Sequence, residues 1–276
     1  MAIEQHTTST ELKYTEAPAH IKKFYTNIND IEDTNVSRKD YKANINDIRT
    51  APNQSDLKLD VTGFQLFRSE STFKNFNVES EVKEVYYPQV IDLLKKKTGA
   101  SRIQIYDHTI RRNVPGQKDD SPDKRQPVSL VHIDQTPKAA KARVHRHNPE
   151  DAEELLTKRY QLINVWRPIE NPAFDRPLAV CDFRSIKKED LVPVSLIYPD
   201  YEGETYGVRY NPEHKWYYVK DMTEDEVLFI KCFDSDHFKD ETISGLTPHT
   251  AFVDPQTSES APLRKSIEVR AIVYYD

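Results

Sequence analysis

The sequence predicts a mainly β protein, an antiparallel sandwich or barrel with a layer of helices. Many strand-like segments follow one another at short spacing, whereas helix-like segments are few. Only 6 glycines stand against 17 prolines, and the chain contains no glycine-rich phosphate loop and no internal repeat. This pattern indicates loops stiffened by proline and argues against folds that cradle a nucleotide.

The composition fits a single globular domain. Of the 276 residues, 37% are hydrophobic and 30% are charged, and a chain of this length can bury one sizeable core. We expect one domain over residues 1–276, on which residues 1–60 pack as a polar N-terminal arm. The net charge of -6 argues against a nucleic-acid partner, because binding the phosphate backbone needs concentrated Lys and Arg.

The first third of the chain is predicted to contain the arm and one helix. Residues 15–60 carry Asn-Asp pairs and suggest an extended arm with short strands. Residues 78–99 begin with glutamates and end with three lysines before Gly99, which are signals for the start and the end of a helix. Pro88 should kink or divide this helix, because proline lacks the amide hydrogen.

A strand and a loop are predicted to follow. Residues 102–113 alternate in polarity, which places Ile103 and Ile105 on one face of a strand and Tyr106 on the other. Residues 117–127 are polar and contain two prolines, which indicates a loop.

The middle of the chain contains one predicted helix, and the distal half is predicted to consist of strands. The basic residues 138–147 suggest the solvated start of a helix or an exposed loop. Asn148-Pro149 and the acids after it predict a helix N-terminus, and this helix should run into a strand near residues 162–165. Further strands are expected at residues 177–183, 205–210, 215–219, 226–233 and 266–275.

The cysteines and the N-terminus bear on the compartment. Cys181 and Cys232 lie in separate apolar segments and are expected to be buried free thiols, which suits a reducing compartment. The first residues have no apolar signal region, and no segment is long and apolar enough to cross a membrane. We therefore expect a cytoplasmic protein that does not bind membranes.

The segment SLVHIDQT, residues 129–136, places two polar side chains in an apolar run. Alternation in a strand puts His132 and Asp134 on one face and Val131 and Ile133 on the other. An imidazole and a carboxylate so placed can share one metal ion. Chance alone also produces such pairs, and a structural histidine beside a turn aspartate is the alternative, so a third ligand is required.

His249, which follows Pro248 in a stretch where Gly245 and Pro248 can set its ring at the end of a strand, is the best candidate for that ligand. Farther along, Arg264 and Ser266 share a strand face and could bind a carboxylate, because the guanidinium fork matches it. Two histidines and one carboxylate form the facial triad of non-haem iron oxygenases. The alternative is a structural sandwich in which these side chains make internal hydrogen bonds.

These motifs resemble the Fe(II)/2-oxoglutarate-dependent dioxygenases. More narrowly, the chain is similar to the fungal hydroxylase/desaturase family, which includes aspergillic acid hydroxylase, gibberellin-desaturase-like proteins and the novofumigatonin endoperoxygenase. The similarity lies in six segments that occur in matching order: GASRIQIYDHTIRRN, VHIDQTP, INVWRPI, PLAVCDFRS, TPHTAF and RKSIEVRAIVYY. The resemblance covers nearly the whole chain. It implies a mainly β fold with flanking helices, the double-stranded β-helix or jelly roll.

The resemblance also implies an activity and a set of ligands. Fe(II) would bind His132, Asp134 and His249, and the co-substrate 2-oxoglutarate would place its far carboxylate on Arg264 and Ser266. With O₂, the enzyme would oxidise an unactivated C–H of a small-molecule fungal natural product. A meroterpenoid is our hypothesis for that substrate, with hydroxylation, desaturation or endoperoxide formation as the outcome.

Three further residues are weaker candidates. Tyr106 is a candidate catalytic tyrosine, for which a barrel tyrosine with a capped hydroxyl is an equal alternative. Trp166 and Arg167 are candidates to line the substrate cavity, although a Trp before an Arg-Pro turn is more often core packing. Rival functions are an iron oxygenase that does not use 2-oxoglutarate, a non-catalytic partner subunit with the same fold and, with less support, a carbohydrate-binding jelly roll. The polar arm allows a homodimer.

Overall fold

The structure is a computed structural model that describes residues 5–28, 30, 32–119 and 121–276. Within these ranges the strands form one sheet of nine strands and one of five. In chain order the strands are β1 (Thr7–Glu16), β2 (Phe24–Asn27), β3 (Ser37–Asp47), β4 (Phe64–Arg68), β5 (Arg102–Arg112), β6 (His132–Ile133), β7 (Tyr160–Pro168), β8 (Leu178–Cys181), β9 (Leu191–Ile197), β10 (Glu202–Val208), β11 (Trp216–Tyr218), β12 (Glu226–Asp234), β13 (His249–Ala251) and β14 (Lys265–Tyr274).

The helices are short and lie around the sheets. The α-helices are α1 (Leu59–Thr62), α2 (Glu79–Glu81), α3 (Tyr87–Thr98), α4 (Pro137–His147) and α5 (Ala152–Leu155). A π-helical turn over Val82–Tyr86 joins α2 to α3, and 3₁₀ turns occupy Ile48–Thr50, Gln54–Asp56, Pro122–Lys124, Phe183–Ser185, Lys188–Asp190 and Ser235–Phe238. No helix in the described ranges is long and apolar enough to cross a membrane.

The two sheets face each other, and the main core fills the space between them. The nine-stranded sheet has the order β1-β3-β11-β8-β13-β6-β10-β9-β2, and the five-stranded sheet has the order β4-β12-β7-β14-β5. Side chains from both sheets meet in one apolar cluster, for example Leu162 and Leu228 from the small sheet and Val180 from the large one. The predicted fold class, a mainly β jelly roll with flanking helices, is confirmed.

The five-stranded sheet is covered on both faces. Its outer face packs against the helical segment of residues 79–98, where Val82, Val90 and Leu94 are buried. Both faces of β7 are therefore dry, and every one of its residues is buried. This explains why β7 and β12 carry apolar side chains on both faces, whereas half-exposed strands alternate.

The predicted helix at residues 78–99 is confirmed, including its division near Pro88. The π-helical turn ends at Tyr86, and Pro88 lies in the first turn of α3. Proline supplies no amide hydrogen and its ring crowds the preceding turn, so a change in the hydrogen-bond pattern is expected there. Gly99 ends the helix in the left-handed region, with φ of 75°.

Two parts of the chain differ from the prediction. The helix predicted to begin at Asn148 is only the short α5, which ends before the strand expected near residues 162–165. The basic residues 138–147 belong to the longer helix α4, which begins at Pro137 and is capped by Thr136, whose hydroxyl accepts a hydrogen bond from the amide of Ala139. Ala140 and Val144 are the buried residues of this helix. The arm is also more regular than expected, because β1 and β3 pair over ten residues and β3 joins the large sheet beside β11.

Candidate metal centre and co-substrate pocket

His132 and His249 face each other across two neighbouring strands of the large sheet. His132 begins β6, His249 begins β13, and the antiparallel register places the two residues directly opposite each other. Their ring centroids are 4.4 Å apart. Directly opposed residues have their Cβ atoms within about 5.5 Å, so both rings can reach one ion.

Asp134 completes the cluster from the end of β6. Its Oδ1 lies 3.4 Å from Nε2 of His132 and 4.0 Å from Nε2 of His249. The candidate ligand atoms of the three residues lie within 4.8 Å of one another. Metal–ligand bonds of about 2.0–2.2 Å fit such separations after small side-chain adjustments. Val131 and Ile133 are fully buried in a separate apolar cluster, as alternation along the strand predicts.

The backbone fixes the orientation of both imidazoles. Nδ1 of His132 is 2.7 Å from the carbonyl oxygen of Leu130, and Nδ1 of His249 is 3.0 Å from that of Thr247. If each Nδ1–H donates to its carbonyl, each Nε2 is free to offer its lone pair to a metal. Both histidines are thus oriented in the same way, by a hydrogen bond to the carbonyl oxygen of the residue two positions earlier in the chain.

The charges at the cluster suit a cation. Burial favours a neutral Asp134, but the hydrogen bond with His132 and the positive charge of Arg270 hold the pKa of its carboxyl well below the usual value. Burial lowers the pKa of His249. Burial also disfavours the charged form of His132, but the hydrogen bond with Asp134 outweighs this effect and raises the pKa of His132. The environment that favours a proton beside Asp134 also favours a metal ion there.

The second oxygen of Asp134 is already occupied. Its Oδ2 accepts hydrogen bonds from Nδ2 of Asn164 at 2.7 Å and from Nε of Arg270 at 3.2 Å. Asn164 also donates to Glu268, and Arg270 also donates to Glu268 and Asp107. Asp134 is therefore held so that only Oδ1 faces the histidines, which sets it up to bind a metal through one oxygen.

Sequence reasoning missed Asn164 and Glu268 as members of this network. Asn164 on β7 lies directly opposite Arg270 on β14, and Glu268 is two residues from Arg270 on the same strand face. Alternation along the strand, which puts Arg264, Ser266 and Arg270 on one face, puts Glu268 there too. Asn164 gave no such signal, because only the pairing of β7 with β14 brings it to the site.

A narrow cavity connects the cluster to the predicted carboxylate receptor. Arg264 is 2% exposed, its Nε donates to the Ser266 hydroxyl at 3.1 Å, and its guanidinium lies 5.0 Å from the ring centre of Trp166. The cavity is lined by residues that include both histidines, Trp166, Arg264, Glu268 and Arg111. Sequence reasoning missed Arg111, which pairs with Ser266 across β5 and β14.

Arg264 is a buried cation that has no anionic partner in the part of the chain that the structure describes. Among the described residues, no carboxylate oxygen forms an ion pair with its guanidinium within 4.0 Å, and one of its terminal nitrogens donates instead to the carbonyl oxygen of Arg176 at 2.7 Å. Burial, together with the like charge of Arg111, lowers the pKa of Arg264 to about 9. A bound carboxylate would relieve this unfavourable burial, since buried charges are normally paired.

The structure separates the three weaker candidates. Trp166 lines the cavity beside Arg264. Arg167 does not, and its expected place in that cavity is corrected: it points to the opposite face of β7, where it donates to the carbonyl of Ser69 and lies over the ring of Tyr86. Strand alternation forces the two neighbours apart.

Tyr106 lies on the inner face of β5, opposite Ile103 and Ile105 as predicted. It occupies a bulge, because Asp107 and Ile105 pair with the consecutive residues Arg270 and Ala271. Its buried hydroxyl has no hydrogen-bond partner among the described residues. Burial raises the pKa of this phenol well above its usual value, so the hydroxyl keeps its proton.

Replacing Asn164 with alanine should weaken iron binding. Asp134 would lose one of the two donors that fix Oδ2, and loss of such a supporting contact typically costs about 10- to 100-fold in metal affinity. The metal-free protein should also lose about 1–3 kcal/mol of unfolding free energy, because Glu268 loses a buried donor. Iron titration and chemical unfolding measure the two effects. The exposed Asn44→Ala variant on β3 is the control, and an unchanged iron affinity for Asn164→Ala would contradict the role of this contact.

The fold and the site together define the class of protein. Two imidazoles and one carboxylate on the large sheet of a jelly roll, with a buried arginine in the cavity that both imidazoles line, match the mononuclear non-haem iron oxygenases. The chain belongs to the family of Fe(II)/2-oxoglutarate-dependent dioxygenases that includes the fungal hydroxylase/desaturases. A family model described as an oxidoreductase/YMDC permease-like domain matches residues 12–274.

Similar proteins of known sequence and structure support the family assignment. The chain is 38% identical over 253 residues to the hydroxylase/desaturase efuI of Hormonema carpetanum, covering 84% of this chain and 83% of the relative. It is 34% identical to the alpha-ketoglutarate-dependent dioxygenase phiK of a fungal species, covering 80% of each. The solved iron and alpha-ketoglutarate-dependent endoperoxidase NvfI superposes with a TM-score of 0.86 at 28% identity and 98% coverage of each chain. The protein is thus an oxygenase of the type found in fungal secondary metabolism, and its substrate is a small molecule.

Proposed function

We propose that this oxygenase binds Fe(II) through His132, Asp134 and His249, and binds the far carboxylate of 2-oxoglutarate through Arg264 and Ser266. The observation that carries the proposal is the buried Arg264, which has no ion-pair partner in the described part of the chain and lines the same cavity as both histidines. A dicarboxylic acid offers one carboxylate to the arginine and its other end to the metal, whereas a neutral ligand would leave the guanidinium without a counter-charge.

Each residue of the site has its own role in the proposed reaction. With Fe(II) held by the three ligands, O₂ would be the oxidant of an unactivated C–H, and 2-oxoglutarate would supply the two further electrons that O₂ takes up and leave as succinate and CO₂. Arg264 neutralises the far carboxylate, Ser266 orients the guanidinium, and Trp166 forms a wall that excludes water. Asn164 and Arg270 keep Asp134 aligned.

We also propose the class of substrate and a place for Tyr106. A meroterpenoid, large and mostly apolar, is the proposed substrate, oxidised by hydroxylation, desaturation or endoperoxide formation. The likeness to NvfI, whose name describes an endoperoxidase, supports the last outcome. Tyr106, a protonated phenol in the core near the site, is the proposed pocket tyrosine that donates a hydrogen to a substrate radical.

We further propose that the enzyme is a single domain over residues 1–276. It works in the cytoplasm and has no nucleic-acid or membrane partner. The net charge of -6 supports the absence of nucleic acid. A homodimer formed through the N-terminal arm is a further proposal, supported by the position of β1 at the edge of the large sheet. Sedimentation of the purified chain tests it.

One experiment tests the site without the substrate. Fe(II) and 2-oxoglutarate are added to metal-free protein under anaerobic conditions, and the visible charge-transfer band of an iron-bound 2-oxo acid is recorded. We expect a band that saturates at one equivalent of each. Succinate alone, which lacks the 2-oxo group, is the matched control and should give no band.

The other outcomes lead to different conclusions. Iron binding without the band would favour an oxygenase that does not use 2-oxoglutarate. A protein that binds no iron would overturn the assignment of the three ligands and would favour a non-catalytic subunit.

A further inference from the structure

A second cavity opens on the other side of the triad, beside Asp134. It has a volume of about 440 Å³ and lies between α4 and the turn that joins β9 to β10. The first cavity contains the two histidines and Arg264, whereas this one contains Asp134 and is much wider. A volume of this size suits an organic molecule of moderate size.

One face of α4 forms a wall of the cavity. Ala139 and Ala142 leave space beside the helix, and Arg143 and Arg146 flank that space. These positions recur at the spacing of three and four residues that places side chains on one helix face. This face of α4 therefore presents two small apolar side chains next to two guanidinium groups.

The two arginines lie over aromatic rings. The guanidinium of Arg143 lies 4.7 Å from the ring centre of Tyr106, and that of Arg146 lies 4.7 Å from that of Tyr201. No carboxylate oxygen in the described part of the chain lies within 4.0 Å of either cation. Stacking on a ring occupies the flat face of a guanidinium and leaves its N–H edge for another ligand.

The acidic residues of the opposite wall are engaged elsewhere. Glu202 pairs with Lys23 at 2.9 Å and accepts a hydrogen bond from Ser195. Glu204 pairs with Lys138 at 3.6 Å and accepts a hydrogen bond from Thr136. Asp200 lines the rim, where it is exposed to water and contacts neither arginine as an ion pair. The uncompensated charge inside the cavity is therefore positive.

We propose that the substrate of this oxygenase carries a carboxylate, which Arg143 binds with Arg146 while the apolar body lies over Ala139 and Ala142. This assignment rests on the proposed function of the triad, since it takes the cavity beside Asp134 as the substrate site. Arg143 is the primary contact because it is half-buried, whereas Arg146 is exposed at the rim. The carboxylate would thereby fix which end of the substrate points to the metal.

Equilibrium dialysis tests the proposal with defined probes. The full chain, loaded with Fe(II) and 2-oxoglutarate without oxygen, is dialysed against dehydroabietic acid, palmitic acid and the methyl ester of each. We expect each acid to bind at least about tenfold more tightly than its ester, because only the acid makes charge-assisted hydrogen bonds. Arg143→Ala should remove this preference by weakening the acids, and Arg143→Lys should keep part of it.

Lys141→Ala is the matched control. Lys141 lies on the same helix and carries the same charge but does not line the cavity, so the variant should behave as the parent does. Equal binding of acid and ester, failure of both acids to bind the parent, or an equal loss in Lys141→Ala would overturn the proposal. The charge-transfer band recorded on the same samples separates the two hypotheses. A band without tighter binding of the acids rejects only this cavity assignment. Tighter binding of the acids without a band rejects only the proposed metal and co-substrate chemistry.

Discussion

Replacement of His249 by alanine is expected to abolish the charge-transfer band and to weaken iron binding by more than about 100-fold. Loss of a supporting contact alone costs up to about that factor, and loss of a ligand must exceed it. His132→Ala should have the same effect, because the two histidines hold equivalent positions on paired strands. Anaerobic iron titration and the visible spectrum measure both results.

The control for this prediction is His145→Ala. His145 lies on α4, outside the cluster, and its removal should leave iron binding and the band unchanged. Far-ultraviolet circular dichroism establishes that each variant is folded. A folded His249→Ala protein that binds iron as the parent does would show that the three residues are not the ligand set.

Replacement of Arg264 by alanine is expected to raise the 2-oxoglutarate concentration needed for the band by about 100-fold or more. Each hydrogen bond to a charged group contributes about 1.5–3 kcal/mol, and a guanidinium can donate two to one carboxylate. Iron affinity measured without 2-oxoglutarate should stay close to that of the parent, because Arg264 contacts none of the three ligands.

Two variants sharpen this test. Arg264→Lys retains the charge but loses the fork, so its requirement for 2-oxoglutarate should lie between those of the parent and Arg264→Ala. Arg112→Ala removes a partly exposed arginine that bonds to Asn77 on the far side of β5, and it should have no effect. An unchanged 2-oxoglutarate titration for folded Arg264→Ala would remove the co-substrate assignment while leaving the metal assignment intact.

Local rules of chain geometry explain which parts of the site were predictable. Alternation along an extended strand is set by the backbone alone, so the shared face of His132 and Asp134 follows from their spacing. The same rule brings Arg264 to Ser266, and the structure places the two in direct contact. It also predicts that Tyr106 faces away from Ile105.

Local signals did not determine the lengths of the helices. Asn148-Pro149 predicts a helix start, yet only the short α5 follows it, whereas the basic segment before it forms the longer α4, in which Ala140 and Val144 are buried. Arg167 follows Trp166 in the chain, yet it lies against Tyr86 on the helix-covered face of the small sheet. Propensity cannot resolve such choices, since the deciding energy comes from packing against distant segments.

The sequence by itself determined the mainly β character, the strand face shared by His132 and Asp134, and the pairing of Arg264 with Ser266, because these depend on neighbours along the chain. Only the tertiary structure decided the rest. The register of β6 with β13 places His249 opposite His132, and the register of β7 with β14 brings Asn164 to Arg270 and both to Asp134. Strand register is fixed by the burial of whole faces, which no local stretch of sequence contains.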